Sequence, residues 1–126
     1  MAKKKAPERR EERFVLPWPP TANTSKTLAR GRMISTNKLR DYHAEAVHAI
    51  TRLHIPPMKP PYEVELEFQP PDKRRRDIAN VEKAPVDSMT KAGLIEDDCK
   101  IDKMVLIRGP VYKDGRVIVT VKEMEK

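Results

Sequence analysis

Hydrophobic and polar positions alternate most cleanly over residues 62–68. Val64, Leu66 and Phe68 fall on one side and Glu63, Glu65 and Glu67 on the other. A two-residue period is the signature of a strand with one buried face and one wet acidic face. A shorter apolar run, Phe14-Val15-Leu16, is closed by Pro17 and predicts a strand near the start. Met104–Ile107 predicts a third strand, and the alternation of Val117, Val119 and Val121 with Ile118, Thr120 and Lys122 a fourth. Lys113-Asp114-Gly115 between these two is a turn signal and predicts that they form a hairpin.

Two segments carry a helical period. Leu39, Tyr42, Ala46, Ile50 and Leu53 recur at spacings of three and four, with Ser35 or Thr36 placed to cap the helix and Pro56, Pro57, Pro60 and Pro61 to end it. A second pattern runs from about Asp77 to Ala92, with Gly93 in the usual position after a helix end. Pro85 inside it removes a backbone donor and crowds the preceding turn, which predicts a kink or a break. Residues 21–35 are polar and basic and read as a long loop. The predicted order is strand, loop, helix, strand, loop, helix, strand, strand. That order describes a small α+β domain with its helices packed on one sheet.

The first twelve residues, MAKKKAPERREE, are almost all charged and are expected to form a disordered arm preceding a single domain over 13–126. Such an arm either keeps the chain soluble or reaches phosphates. The basic start is not followed by an apolar stretch, so it does not read as a signal peptide, and no apolar run approaches the length of a membrane span. Lys plus Arg number 26 against 19 Asp plus Glu, a net +7. That excess favours a polyanionic partner, nucleic acid ahead of acidic membrane. The single cysteine, Cys99, excludes an internal disulfide and points to a reducing, cytoplasmic setting.

Candidate chemistry concentrates in residues 70–98. Lys73, Arg74, Arg75 and Arg76 are four consecutive cations, with Asp77 directly after them at the predicted helix start. A phosphate there meets side-chain cations and free helix N–H groups together. Asp77 also has a plain structural role available, as a helix cap. Glu96-Asp97-Asp98 forms a second acidic group. Oxygen donors with no His or Cys beside them suit Mg²⁺ or Mn²⁺, although a solvated acidic turn is the simpler reading. Lys83 either steadies a phosphate or pairs with Asp87 four residues on. His43, His48 and His54 lack metal-ligand spacing, so zinc is not expected. Trp18 is expected to pack on the core, and Asn23 either serves a site or holds its loop. Exposed aromatic candidates are scarce, which argues against single-strand stacking.

These residues resemble the RusA-type Holliday junction resolvases. LPWPPTAN is similar to the family's first strand and Pro-rich loop. PPDKRRRDIANVEKAPVDSMTKAGLIEDD resembles its central signature of basic run, D-x-D-N, lysine, Ala-Gly helix end and paired aspartates, and GRVIVTVKEM its last strand. The resemblance implies a small mixed sheet of about four strands with two main helices packed on it. It also implies a homodimeric, Mg²⁺-dependent endonuclease that cuts two opposing strands of a four-way junction, with no membrane and no small-molecule cofactor. By position, Asp77 and Asp98 would be metal-binding carboxylates with Asp97 beside them, Lys83 the functional lysine, Lys73–Arg76 the DNA-facing run, and Asn80 the Asn of D-x-D-N. Where the family pattern has its second aspartate this chain has Ala79, which offers no oxygen to a metal. Impaired cutting is expected, through engineered inactivation or in a natural variant that binds without cutting. The intact remainder of the signature favours the first. A basic module that holds nucleic acid without chemistry is the rival reading.

Overall fold

The computed structural model describes residues 9–20, 26–29, 32–35 and 37–125. Its elements in chain order are β1 (Glu11–Pro17), β2 (Lys26–Ala29), β3 (Arg32–Ser35), α1 (Asn37–Thr51), β4 (Tyr62–Gln69), α2 (Lys83–Lys91), β5 (Ile101–Arg108) and β6 (Arg116–Glu123). Two three-residue 3₁₀ turns, Ile78–Asn80 and Asp98–Lys100, flank α2. Four strands form a mixed sheet in the order β1-β6-β4-β5, and β2 and β3 form a separate ribbon.

The alternation in β4 makes it the sheet's central strand. Tyr62, Val64, Leu66 and Phe68 are fully buried beneath the helices, while Glu63, Glu65 and Glu67 are half-buried on the other face. That face is less wet than expected because neighbours flank it on both sides: Lys103 and Lys122 approach Glu63 to 3.9 and 3.8 Å. β4 pairs antiparallel with β6 and parallel with β5. The expected β5–β6 hairpin is therefore absent. The Asp114-Gly115 turn exists, with positive φ at both residues, but β5 and β6 lie on opposite sides of β4. A parallel partner needs a crossover, and α2 supplies it.

Other boundaries move for local reasons. β1 begins at Glu11, inside the expected arm, because Glu11–Pro17 pairs with Lys122–Arg116. Arg10 is also tied in: its guanidinium donates to the carbonyls of Pro57 and Pro56. Residues 1–8, the bulk of that arm, lie outside the described residues, as do Asn23 and the cap candidate Thr36. The stretch expected to be a long loop contains the β2–β3 ribbon, with Thr27 opposite Ile34 and Leu28 opposite Met33. α1 buries Leu39, Tyr42, Ala46 and Ile50 as its period requires, but it ends at Thr51 and leaves Leu53 exposed.

The second helix is shorter than its pattern. It starts at Lys83, so Pro85 is its third residue, where a backbone N–H has no helical partner to lose. No kink results. Gly93 takes the expected left-handed conformation after the helix, φ 77°, and Leu94 N–H reaches back to the Met89 carbonyl. Leu66→Ala, at the buried centre of β4, is expected to lower unfolding free energy by about 2–5 kcal/mol in urea denaturation. Val15→Ala, half-exposed on edge strand β1, should change it by less than about 0.5 kcal/mol.

Candidate functional site

The segment leaving β4 begins with a charge-organised turn. Asp72 accepts from the Arg74 backbone N–H at 2.9 Å and pairs with the Arg74 and Arg76 guanidinium groups at 3.2 and 2.8 Å. Arg76 is largely buried, also donates to the carbonyls of Asp72 and Arg74, and lies 5.7 Å over the Trp18 ring. Trp18 in turn meets Phe68 edge-on at 6.1 Å, so it packs on the core as expected. The four cations of the basic run are thus not equivalent. Arg76 pins the loop and Arg74 is partly engaged. Lys73 and Arg75 are exposed, and among the described residues their side chains make no ion pair. The sequence pattern does not single out Asp72, although its i,i+4 spacing to Arg76 is an available signal.

Asp77 caps a 3₁₀ turn, its Oδ1 accepting from the Ala79 N–H at 3.0 Å. Asp97 does the same before the second turn, accepting from the Cys99 N–H at 3.2 Å. Both aspartates are exposed, and so is Ala79. Asp77 shares a shallow concavity with Arg75, Arg76 and Arg108, and the Arg108 guanidinium donates to the Arg76 carbonyl at 2.6 Å.

Asp98 faces a different hollow, lined by Glu82, Lys83, Val86, Asp87, Ile101 and Met104. Lys83 Nζ is 3.6 Å from Asp87 Oδ2, the pairing that the simpler reading of this lysine anticipates. The Asp97–Asp98 pair shares a hydrogen bond that depresses the Asp97 pKa and raises that of Asp98. Burial, reinforced by Asp87 and Asp98 and opposed by Lys83, raises the Glu82 pKa. Glu82 and Asp87 join this hollow, although the sequence pattern marks neither as an acidic site candidate. The hollow's volume of about 250 Å³ admits an ion with several waters, each taking about 30 Å³.

The expected gathering of Asp77 with Asp97 and Asp98 does not appear. Among the described residues, no three His, Cys, Asp or Glu side chains come together closely enough to hold a metal ion. The carboxylates that line the hollow, Glu82, Asp87 and Asp98, offer oxygen donors of the kind Mg²⁺ takes, one or two at a time with its waters kept, beside the Lys83 ammonium and the Met104 thioether. His43 is engaged with Ser88 Oγ at 2.7 Å, and His48 and His54 are exposed.

The family model for endodeoxyribonuclease RusA matches residues 17–122. The chain belongs to the RusA family. The crossover junction endodeoxyribonuclease RusA of Escherichia coli strain K12 is 34% identical over 112 residues, covering 88% of this chain and 93% of that protein. Its counterpart from enterobacteria phage 82 is 35% identical over 113 residues, covering 88% and 93% respectively. That of enterobacteria phage HK97 is 32% identical over 116, covering 91% and 97%. The mixed four-stranded sheet with two helices is the architecture expected of a RusA-like chain. No helix among the described residues is long and apolar enough to cross a membrane.

Asp72 carries a pH prediction. The Arg76 hydrogen bond, then the Arg74 backbone, hold its carboxyl well below the usual range. Its stabilising contribution is complete above the unfolded-state pKa of about 4 and drains away as pH falls toward the lower folded value. A carboxyl-detected NMR titration should find Asp72 ionising well below the usual aspartate range. A midpoint at or above the ordinary value contradicts the pairing.

Proposed function

We propose that this chain binds four-way DNA junctions as a homodimer in the cytoplasm of a bacterial or phage-infected cell. The reaction of its site is Mg²⁺-dependent phosphodiester hydrolysis, impaired here at Ala79. Membership of a family whose named relatives are crossover junction endodeoxyribonucleases carries this reading. The exposed cations Lys73 and Arg75 supply sequence-independent phosphate contact, and two-fold symmetry would set two such sites against opposing strands.

Asp98 would hold the ion, with Asp97 beside it and Glu82 and Asp87 across the hollow. When bound, Mg²⁺ supplies positive charge at the scissile phosphate and lowers the pKa of a coordinated water. Lys83 at the rim adds a cation next to the same phosphate, once it exchanges Asp87 for it. Asp77 stands among Arg75, Arg76 and Arg108, where a phosphate approaching those cations would meet a carboxylate unless an ion intervenes. Ala79, exposed on the 3₁₀ turn that Asp77 caps, offers no carboxylate, which leaves the donor set short.

The absence of a three-carboxylate group among the described residues favours a second reading, binding without cutting. One experiment separates the two. With Mg²⁺ present, the chain as it stands and its Ala79→Asp variant are each offered mobile four-way junctions and linear duplex. Both should prefer the junction, and only the variant should make paired nicks. A variant that binds junctions and never cuts, with Mg²⁺ or Mn²⁺, refutes the nuclease reading. In the same assay Arg75→Ala should lower the slope of log affinity against log salt by about 0.9 for each phosphate it no longer neutralises.

A further inference from the structure

The link between β5 and β6 presents an exposed pair of apolar residues in cationic surroundings. Val111 is 46% exposed and Tyr112 44%. Neither enters the site described above. The pair is held firmly. Tyr112 N–H donates to the Pro70 carbonyl at 2.9 Å, and Gly115 N–H donates to the Tyr112 carbonyl at 2.7 Å. Gly115, at φ 72°, lies so close to Trp18 that a Cβ there would come within 2.9 Å of the Trp18 Cβ. The Arg116 guanidinium stacks on the Tyr112 ring, 3.7 Å from its centroid, and is itself fixed by a 2.6 Å bond from Nε to the Oε1 of buried Gln69. One face of the ring is thus covered by a positioned cation, while the residue as a whole stays 44% exposed.

The surroundings say what this ring meets. Arg108 and Lys113 are exposed on the same segment. The basic loop runs alongside, tied at one end by Pro70 to Tyr112 and at the other by Arg76 to Arg108. Of the nearby acids, Asp72 is already paired with Arg74 and Arg76, while Asp77, which shares a concavity with Arg108, and Asp114 are exposed. A rigid aromatic face ringed by cations suits a polyanion that also offers a flat apolar surface, which is a nucleic acid with an accessible base. A continuous duplex keeps its bases stacked. A branch point interrupts the stack.

We propose that Tyr112, backed by Arg116, is a stacking platform for a nucleobase exposed at the branch point of a four-way junction. The proposal rests on the junction-binding function above and adds the element that distinguishes branched from linear DNA. Phosphate contacts from the basic loop act on both forms alike, whereas a stacking contact acts only where a base face is open. Sequence alone hid this aromatic because Tyr112 lies in a turn with no periodic pattern around it.

The test uses the full chain without divalent metal, a four-way junction and a linear duplex of matching sequence, and 2-aminopurine at the exchange point as a stacking reporter. Tyr112→Ala should weaken junction binding about tenfold, at the lower end of base–aromatic stacking. It should leave duplex binding and the salt slope unchanged and abolish the protein-dependent change in 2-aminopurine fluorescence. Tyr112→Trp should retain both, and both variants should melt like the unaltered chain. Junction preference and reporter signal that survive Tyr112→Ala overturn this proposal alone. A variant that loses junction and duplex equally, or changes its oligomeric state instead, also overturns it. Equal binding of junction and duplex by the unaltered chain overturns the functional reading and the platform with it.

Discussion

The arrangement depends on β4 being paired along both edges, antiparallel to β6 and parallel to β5. Strands that run parallel leave the sheet at the same end. The segment after β4, with Asp72 and the basic run, therefore emerges beside the segment after β5, with Arg108 and Tyr112. β6 enters from that end as well, which delivers Arg116 to the same place. Backbone bonds from Gly109 to Phe68 and from Tyr112 to Pro70 fasten the two segments together. Gly109 permits this closeness: a Cβ there would lie 2.9 Å from the Glu67 side chain, which would have to shift. The parallel pairing also demands a crossover, and that crossover carries α2, Lys83 and the hollow at Asp98.

Within this end of the molecule, charge is divided between holding the loop and meeting a ligand. Asp72 pairs with both Arg74 and Arg76, but only Arg76 is drawn inward, onto Trp18 and so onto the core through Phe68, while the Arg74 side chain stays exposed. Exposed ion pairs contribute little to stability taken singly. Here their effect is positional, since they stiffen a loop whose remaining cations, Lys73 and Arg75, stay exposed. A uniform basic stretch in the sequence thus becomes one structural cation, Arg76, one partly engaged, Arg74, and two available ones.

How much of this is legible in the sequence varies with the range of the interaction. The buried faces of β4 and α1 can be read directly, because a burial period is written in adjacent residues. The pairing of β5 and β6 cannot. Asp114-Gly115 reports a tight turn, and nothing local reports that β4 occupies the space between the strands. Pro85 reads as a helix breaker only while the helix start is placed at Asp77. The real start at Lys83 comes only after the 3₁₀ turn Ile78–Asn80, which Asp77 caps in place of the helix itself. The family signature marks the acidic and basic stretches along the chain. It does not show that Arg76 is committed to Asp72, or that Glu82 and Asp87 share a hollow with Asp98, because both facts arise from interactions made after the chain has folded.

The central claim is that branched DNA lies across the sheet end where β4 and β5 terminate. The most direct measurement is an amide NMR map of the full chain titrated with a four-way junction in the absence of divalent metal. The largest changes should fall on residues 72–77 and 108–116, with β1 and the outward side of α1 unaffected. Changes centred on β1 and α1, with the basic loop and the Tyr112 segment undisturbed, would contradict the account.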